Sequence, residues 1–301
     1  MKQWRMMLCF LALFLLLAVG GTVRAATLRD SDNRVIVFDH PFSRIISLYP
    51  AHTRNLLDMG LEPEKIVAVG RSDRQLDRPR VSFRDDPERL LALEPDLVLI
   101  RPMISRAYPQ LVKRLEQSGV TVVSLQPASM DRLFWYWETL GRLTGKEDGV
   151  RAMIGRFGRE LATIRRQVDL IPAGQRKKVY FEAIHRRMKT FAPRSMAIFV
   201  LESAGGINVA ADALQVRNTN IAAYGKERIL ARASEIDVFL AQKGRMNPVT
   251  VEMIRSEPGF QVIKAVRNDQ IYLVDEKLVS RPTLGLLTGI RTVFEILYPV
   301  Q

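Results

Sequence analysis

Glu88-Arg89-Leu90-Leu91-Ala92 runs through Pro95-Asp96 into Leu97-Val98-Leu99-Ile100, and the pattern returns as Glu227-Arg228-Ile229-Leu230-Ala231, Ile236-Asp237 and Val238-Phe239-Leu240-Ala241. Each copy reads as a short amphipathic helix, an acidic turn and an apolar strand of the sort that lies buried in a sheet. One repetition on this scale indicates two related lobes, not a short-period solenoid.

The flanking sequence extends the same grammar. Residues 35–38, 44–48, 65–69, 97–100 and 121–125 are β-branched runs predicted as strands of one sheet. Residues 52–59, 87–93, 109–118 and 130–143 have helical spacing, with Gly60 and Gly119 as C-terminal stops. Such alternation builds a layered α/β lobe. Residues 146–170 then form one long predicted helix. Its apolar positions are Val150, Met153, Ile154, Phe157, Leu161, Ile164 and Val168, and Pro172 and Gly174 end it. At 1.5 Å per residue it spans about 40 Å, enough to bridge two lobes; the alternative is an ordinary packed helix of one large domain. The second half restarts with a strand at 178–183, a helix at 195–204, the turn Gly205-Gly206, a helix at 227–233, strands at 237–241 and 270–274, and a closing helix at 282–297. The expected organisation is a leader at 1–25, an N-terminal α/β lobe at 26–144, a connecting helix at 145–172 and a C-terminal α/β lobe at 173–301.

The leader decides the compartment. Lys2 and Arg5 precede an unbroken apolar run, residues 6–19, and Val23-Arg24-Ala25 supplies a small-residue cleavage site. The run is shorter than the roughly 18 residues of a spanning helix. Cys9, the sole cysteine, lies inside that run and not after the small residues, so a periplasmic protein that is not a lipoprotein is expected. Cleavage removes three cations and lowers the formal charge from +13 to +10. About 275 residues remain, enough for two modest cores without a disulfide. An excess of cations points to an anionic partner, with a merely basic solvated surface as the alternative. Export and the lack of finger spacings or basic-aromatic stretches argue against nucleic acid.

The enzyme motifs are absent: no H-E-x-x-H, no G-x-S-x-G and no G-x-G-x-x-G after the first strand occurs. Gly141-Arg142-Leu143-Thr144-Gly145-Lys146 is one residue short of a phosphate loop and lacks its following Ser or Thr. With three histidines in the chain, a metal hydrolase would need carboxylate ligands that no spacing supplies.

Five segments, in order, carry a resemblance: residues 44–53 (RIISLYPAHT), the stretch from Gly60-Leu61 to Val69-Gly70, residues 88–100, residues 119–125, and residues 204–210 (AGGINVA). Together they resemble the iron-chelate and cobalamin (Fe/B12) class of periplasmic substrate-binding proteins of ABC importers. The resemblance implies two α/β lobes joined by one long rigid helix, the class III architecture, and little closure on binding. It implies a monomer that holds a siderophore, haem or corrinoid in its cleft, with no intrinsic cofactor. It also implies that Glu88 and Glu227 meet arginines of the permease at the inner membrane; the helix dipole alone would favour glutamates at these positions too.

Ligands of open α/β sheets lie beyond the carboxyl ends of the strands. The residues following the predicted strands are Tyr49, His52, Arg71, Arg101, Met103 and Tyr108 in the first lobe, and His185, Arg187, Met188, Ser280 and Arg281 in the second. Guanidinium groups suit carboxylates or phosphates. His52, His185 and Tyr108 are of types that ligate iron or cobalt, His185 and Tyr108 being the candidate axial ligands. Met103 and Met188 would form an adaptable apolar wall. The expected cargo is a ferric siderophore, with corrinoid, haem and a molybdate-type oxyanion as alternatives and an envelope enzyme last.

Overall fold

The computed structural model of the protein describes residues 25–216 and 219–299. Lys2, Arg5, Cys9 and Arg24, on which the export reading rests, lie outside the described residues. Among the described residues no helix is long and apolar enough to cross a membrane.

The chain opens with β1 (Ala26–Arg29) and β2 (Val35–Phe38), an antiparallel hairpin separate from the two main sheets. This corrects the expectation that residues 35–38 form a strand of the first main sheet. The run alternates: Ile36 is buried, while Val35 and Val37 are 51% and 60% exposed.

The first lobe follows: β3 (Ile45–Ser47), α1 (Pro50–Asp58), β4 (Ile66–Gly70), β5 (Arg80–Val81), α2 (Pro87–Leu91), β6 (Leu97–Ile100), α3 (Pro102–Ala107), α4 (Pro109–Gln117), β7 (Thr121–Ser124) and α5 (Leu133–Thr144). Its sheet has the order β5-β4-β3-β6-β7, with every pairing parallel. Strand order reverses between β3 and β6, which opens a crevice at their carboxyl ends.

The long helix α6 (Glu147–Asp169) has 23 residues, about 35 Å at the α-helical rise. It buries Val150, Met153, Phe157, Leu161, Ile164 and Val168, while Ile154 stays half-buried. Gly149 lets its first turn cross the end of α1, since a Cβ there would stand 1.9 Å from the Met59 carbonyl oxygen.

The second lobe contains β8 (Lys178–Ile184), β9 (Lys189–Phe191), α7 (Met196–Ser203), β10 (Ile207–Asn208), β11 (Leu214–Gln215), β12 (Ile221–Ala223), α8 (Lys226–Ala231), β13 (Val238–Lys243), α9 (Val251–Arg255), α10 (Lys264–Arg267), β14 (Ile271–Asp275), α11 (Glu276–Val279) and α12 (Gly285–Leu297). Its sheet runs β11-β12-β9-β8-β13-β14, parallel from β8 through β14 and antiparallel from β8 outward to β11; β10 pairs alongside β8.

Side chains alternate across a strand, and the cores follow that alternation. Ile45, Leu97 and Leu99 join one cluster, while Ile46, Val98 and Ile100 join another on the opposite face. In the second lobe Val179, Phe181, Val238 and Leu240 face the first cluster, and Tyr180, Phe239 and Ala241 face a third. The first cluster also takes the stripe of α6, so one continuous core joins both sheets through the long helix.

The repeated sequence is a repeated structure. Asp96 accepts from Ser43 N at 2.7 Å and Arg44 N at 2.9 Å, where the chain enters β3. Asp237 accepts from Lys178 N, at the start of β8, at 2.8 Å. Each aspartate returns its own N–H to the carbonyl of Arg44 or Lys178. Leu90 and Ile229 are the fully buried residues of the two short helices.

Candidate ligand cleft

The crevice between β3 and β6 is occupied by an aromatic and a cation. Tyr49 follows β3 and is 8% exposed, and the Arg101 guanidinium, following β6, stacks 4.5 Å from its ring centroid. Arg101 Nε is buried without a hydrogen-bond partner among the described residues. Burial pushes the Tyr49 phenol up, against the pull of Arg101 and of Arg281, which reaches it from the other lobe. Arg281 in turn pairs with Glu276 at 3.5 Å. Pro50, the residue after Tyr49, and Arg281 line one cavity, so the two lobes meet beside Tyr49.

Beside this meeting point lies a cavity of about 380 Å³ lined from both lobes. Pro50, Arg54 and Asp73 come from the first lobe, Lys277, Arg281 and Thr283 from the second, and Arg156 from the long helix. Asp73 is 1% exposed, and its Oδ1 takes the Gln75 backbone N–H and side-chain amide. Two hydrogen bonds tie the lobes beneath it, because the Pro282 carbonyl accepts from Asn55 Nδ2 at 2.9 Å and from Trp137 Nε1 at 3.0 Å.

On the second lobe the turns after β8 and β13 are joined by a bond from His185 N to Asn247 Oδ1 at 2.9 Å. They present Arg186, Arg187, Lys243 and Arg245, all exposed and without an ion pair among the described residues. Ser280 Oγ donates to Gln242 Oε1 at 2.7 Å, and Gln242 Nε2 donates to the Ala183 carbonyl at 3.1 Å. These bonds fix the strand ends from which the cationic turns project.

Several expected contacts are placed elsewhere. His52 is fully buried, with Nε2 at 3.1 Å from the Ile100 carbonyl and Nδ1 at 2.7 Å from Tyr136 Oη. A carbonyl only accepts, so Nε2 carries the proton and Nδ1 accepts from the tyrosine. Burial lowers its pKa to about 3. His52 is a satisfied core residue, packed edge-on against Tyr49 at 5.1 Å, and not a residue exposed at the crevice surface as the strand-end rule places it. His185, expected as an axial ligand, is also buried; its Nδ1 lies 2.9 Å from Glu182 and its Nε2 3.8 Å from Glu257. The hydrogen bond to Glu182 raises its pKa, while burial raises that of Glu182. Both ring nitrogens of His52 are thus engaged, whereas His185 is hydrogen-bonded through Nδ1 alone.

Tyr108 packs on Phe83 at 4.9 Å and on the outer core of its own lobe, and its hydroxyl accepts from Arg84 Nε at 3.2 Å. Met188 takes a left-handed φ of 46° at the end of its turn and packs against the second lobe's outer core, so it is no cleft wall. Met103 is 47% exposed on α3. Arg71 is 63% exposed at its side chain and is held by Asp85. Arg187 is exposed beside Arg186. Of the predicted set, the structure brings Tyr49 and Arg101 into contact and sets Arg281 on the adjoining cavity, with Ser280 bonded to Gln242 beside it.

Sequence reading missed Asp73, Gln242 and Glu276. Asp73 follows β4 within four residues, and Gln242 lies one residue beyond the predicted end of its strand, so the strand-end rule applied one turn further would have reached both. Among the described residues no cluster of three or more His, Cys, Asp or Glu side chains is arranged to hold a metal.

Two related α/β lobes on either side of a long helix, meeting at a cation-lined crevice, define a solute-binding architecture. The chain belongs to the periplasmic binding protein family, whose profile matches residues 45–278. Among its relatives, an uncharacterized ABC transporter substrate-binding lipoprotein of Bacillus subtilis is 24% identical over 280 residues, covering 91% of this chain and 85% of that one. The vitamin B12-binding protein of Vibrio cholerae is 25% identical over 259 residues, covering 84% and 88%. The crystal structure of a possible iron-binding, periplasmic solute-binding protein of Staphylococcus epidermidis shares the fold with a TM-score of 0.73 at 24% identity, covering 86% of this chain and 100% of that one.

Proposed function

We propose that this protein is the periplasmic substrate-binding subunit of an ABC importer and that its cargo is an anionic metal chelate of the ferric siderophore type. The observation that carries this reading is the group at the meeting of the lobes: Arg101 stacked on Tyr49 with a buried N–H unspent, and Arg281 lining the adjoining cavity from the other lobe. Preorganised guanidinium groups in a water-poor crevice favour carboxylate or catecholate oxygens. The cationic turns at Arg186, Arg187, Lys243 and Arg245 add a long-range attraction for an anion.

A corrinoid is the second reading, favoured by the name of the Vibrio cholerae relative. We take residues 26–144 and 173–301 as the two lobes and 145–172 as their connection. We also take the mature chain to begin at Ala26 without lipid; the Bacillus subtilis relative is a lipoprotein by name, whereas Cys9 here lies within the apolar run. Glu88 and Glu227 are taken as the contacts to the permease.

Titration of the purified protein with a ferric tricatecholate, hemin and cyanocobalamin tests the cargo. The ferric chelate is expected to bind without turnover, and Arg101→Ala or Arg281→Ala to weaken it about tenfold or more, the worth of one charge-assisted hydrogen bond. Binding of cyanocobalamin alone would replace the cargo with a corrinoid, and refusal of all three probes would defeat the chelate reading.

A further inference from the structure

The loop between α11 and α12 belongs to the second lobe, yet the first lobe holds it. Pro282 is buried, and its carbonyl is the shared acceptor for Asn55 of α1 and Trp137 of α5, both fully buried themselves. Two donors use both lone pairs of that oxygen. On one side of Pro282 in sequence stand Ser280, bonded to Gln242, and Arg281, which lines the interlobe cavity and acts on Tyr49. On the other, the Thr283 hydroxyl accepts the Gly285 N–H that opens α12. Helix α1, which supplies Asn55, starts at Pro50, directly after Tyr49. One helix of the first lobe thus lines the crevice at its start and grips the opposite wall a turn and a half later.

We infer that Asn55 and Trp137 are positioning residues for the ligand cleft: through the Pro282 carbonyl they set how far Arg281 stands from Tyr49, and they keep the lobes from parting at this edge. Separation here must break two hydrogen bonds between buried groups, leaving two donors and an acceptor stranded. The long helix joins the lobes as well. It does so mainly through apolar contacts that tolerate sliding, including the Trp137–Phe157 ring pair at 5.6 Å, together with one half-exposed ion pair, Glu160 to Arg291 at 2.8 Å. A directional bond to a backbone carbonyl fixes a distance in a way that apolar packing does not. This inference needs no assumption about cargo, because it concerns the empty protein.

The test uses spin labels at Arg106→Cys and Arg186→Cys, one exposed position on each lobe. The parent protein is expected to give one narrow interlobe distance. Trp137→Phe keeps a ring and loses only the N–H donor, and Asn55→Leu keeps side-chain bulk; each is expected to broaden the distribution by several ångström and to speed amide exchange at residues 280–285 at least tenfold, with the exchange of β6 unchanged. Variants that unfold cooperatively but keep the parental distance would overturn the inference. The parent alone supplies a second measurement that requires no variant to fold. The Trp137 indole N–H should exchange as slowly as the slowest amides of β6, and exchange at the rate of surface-loop amides would show that the tie opens freely and end the proposal.

Discussion

Histidine burial sets the pH response at the scale of single residues. His52 is held neutral, with a pKa of about 3 against an ordinary value of 6.5. The unfolded chain takes up that proton first, so the stability tied to neutral His52 is complete above pH 6.5 and is lost as pH falls toward 3. The His185 and Glu182 pair acts in the opposite sense. Both pKa values are raised in the folded protein, so the stability from His185 is complete below 6.5 and is lost as pH rises through its elevated folded value. Urea unfolding between pH 4 and pH 9 is therefore expected to give a maximum near neutrality, falling by a few kcal/mol on the acid side, at about 1.4 kcal/mol per pKa unit, and declining on the alkaline side. His185→Gln should remove the alkaline decline. The His52 ring proton resonances should not titrate between pH 8 and pH 5, and a midpoint near 6.5 would contradict its placement.

Elements repeat where the sequence repeats. Asp96 and Asp237 each stitch the entry of one strand to the neighbouring strand of its own sheet, and Asp237 also holds Lys264 at 2.7 Å. Asp96→Ala and Asp237→Ala are each expected to cost about 1–3 kcal/mol, the penalty for stranding backbone donors. Because they act in different sheets without a shared partner, the double variant should show the sum. A large coupling measured by urea denaturation would mean that the two sheets communicate through these turns. The same elements show what was legible beforehand. Helix α6 was readable because six buried apolar residues recur at helical spacing over 23 positions. The two- and three-residue strands from β9 to β12 escaped, being too short to display a period of two. Residues 35–38 misled because four consecutive apolar residues look the same in a buried strand and in a hairpin with one exposed face. At the cleft, strand order identified the loops after β3 and β6 as neighbours, and Tyr49 and Arg101 are in contact there. It carried no information on side-chain direction, so His52, His185 and Met188 turned out to face cores or buried carboxylates.

For the whole molecule, the proposed docking on a permease rests on exposed charge at two separated places. Glu88 is exposed and partly engaged by Arg114 at 2.5 Å. Glu227 is exposed with no ion pair among the described residues. Surface pairs add little affinity but steer encounter. Reversing both, Glu88→Lys with Glu227→Lys, is expected to lower uptake in cells about tenfold or more while changing the affinity for cargo less than about twofold; uptake that survives both reversals would dismiss the docking role.

The bond between Trp137 and Pro282 joins positions 145 residues apart, and that from Asn55 spans 227. Such separations make folding slow, because distant segments must meet before their contacts repay the entropy of closing the chain. A polypeptide emerging from the ribosome cannot satisfy its first lobe until nearly its last helix has been made. Delay of that kind would suit the export proposed for this chain, which would then leave the cytoplasm still unlocked, the fastening arriving only with the last-made segment.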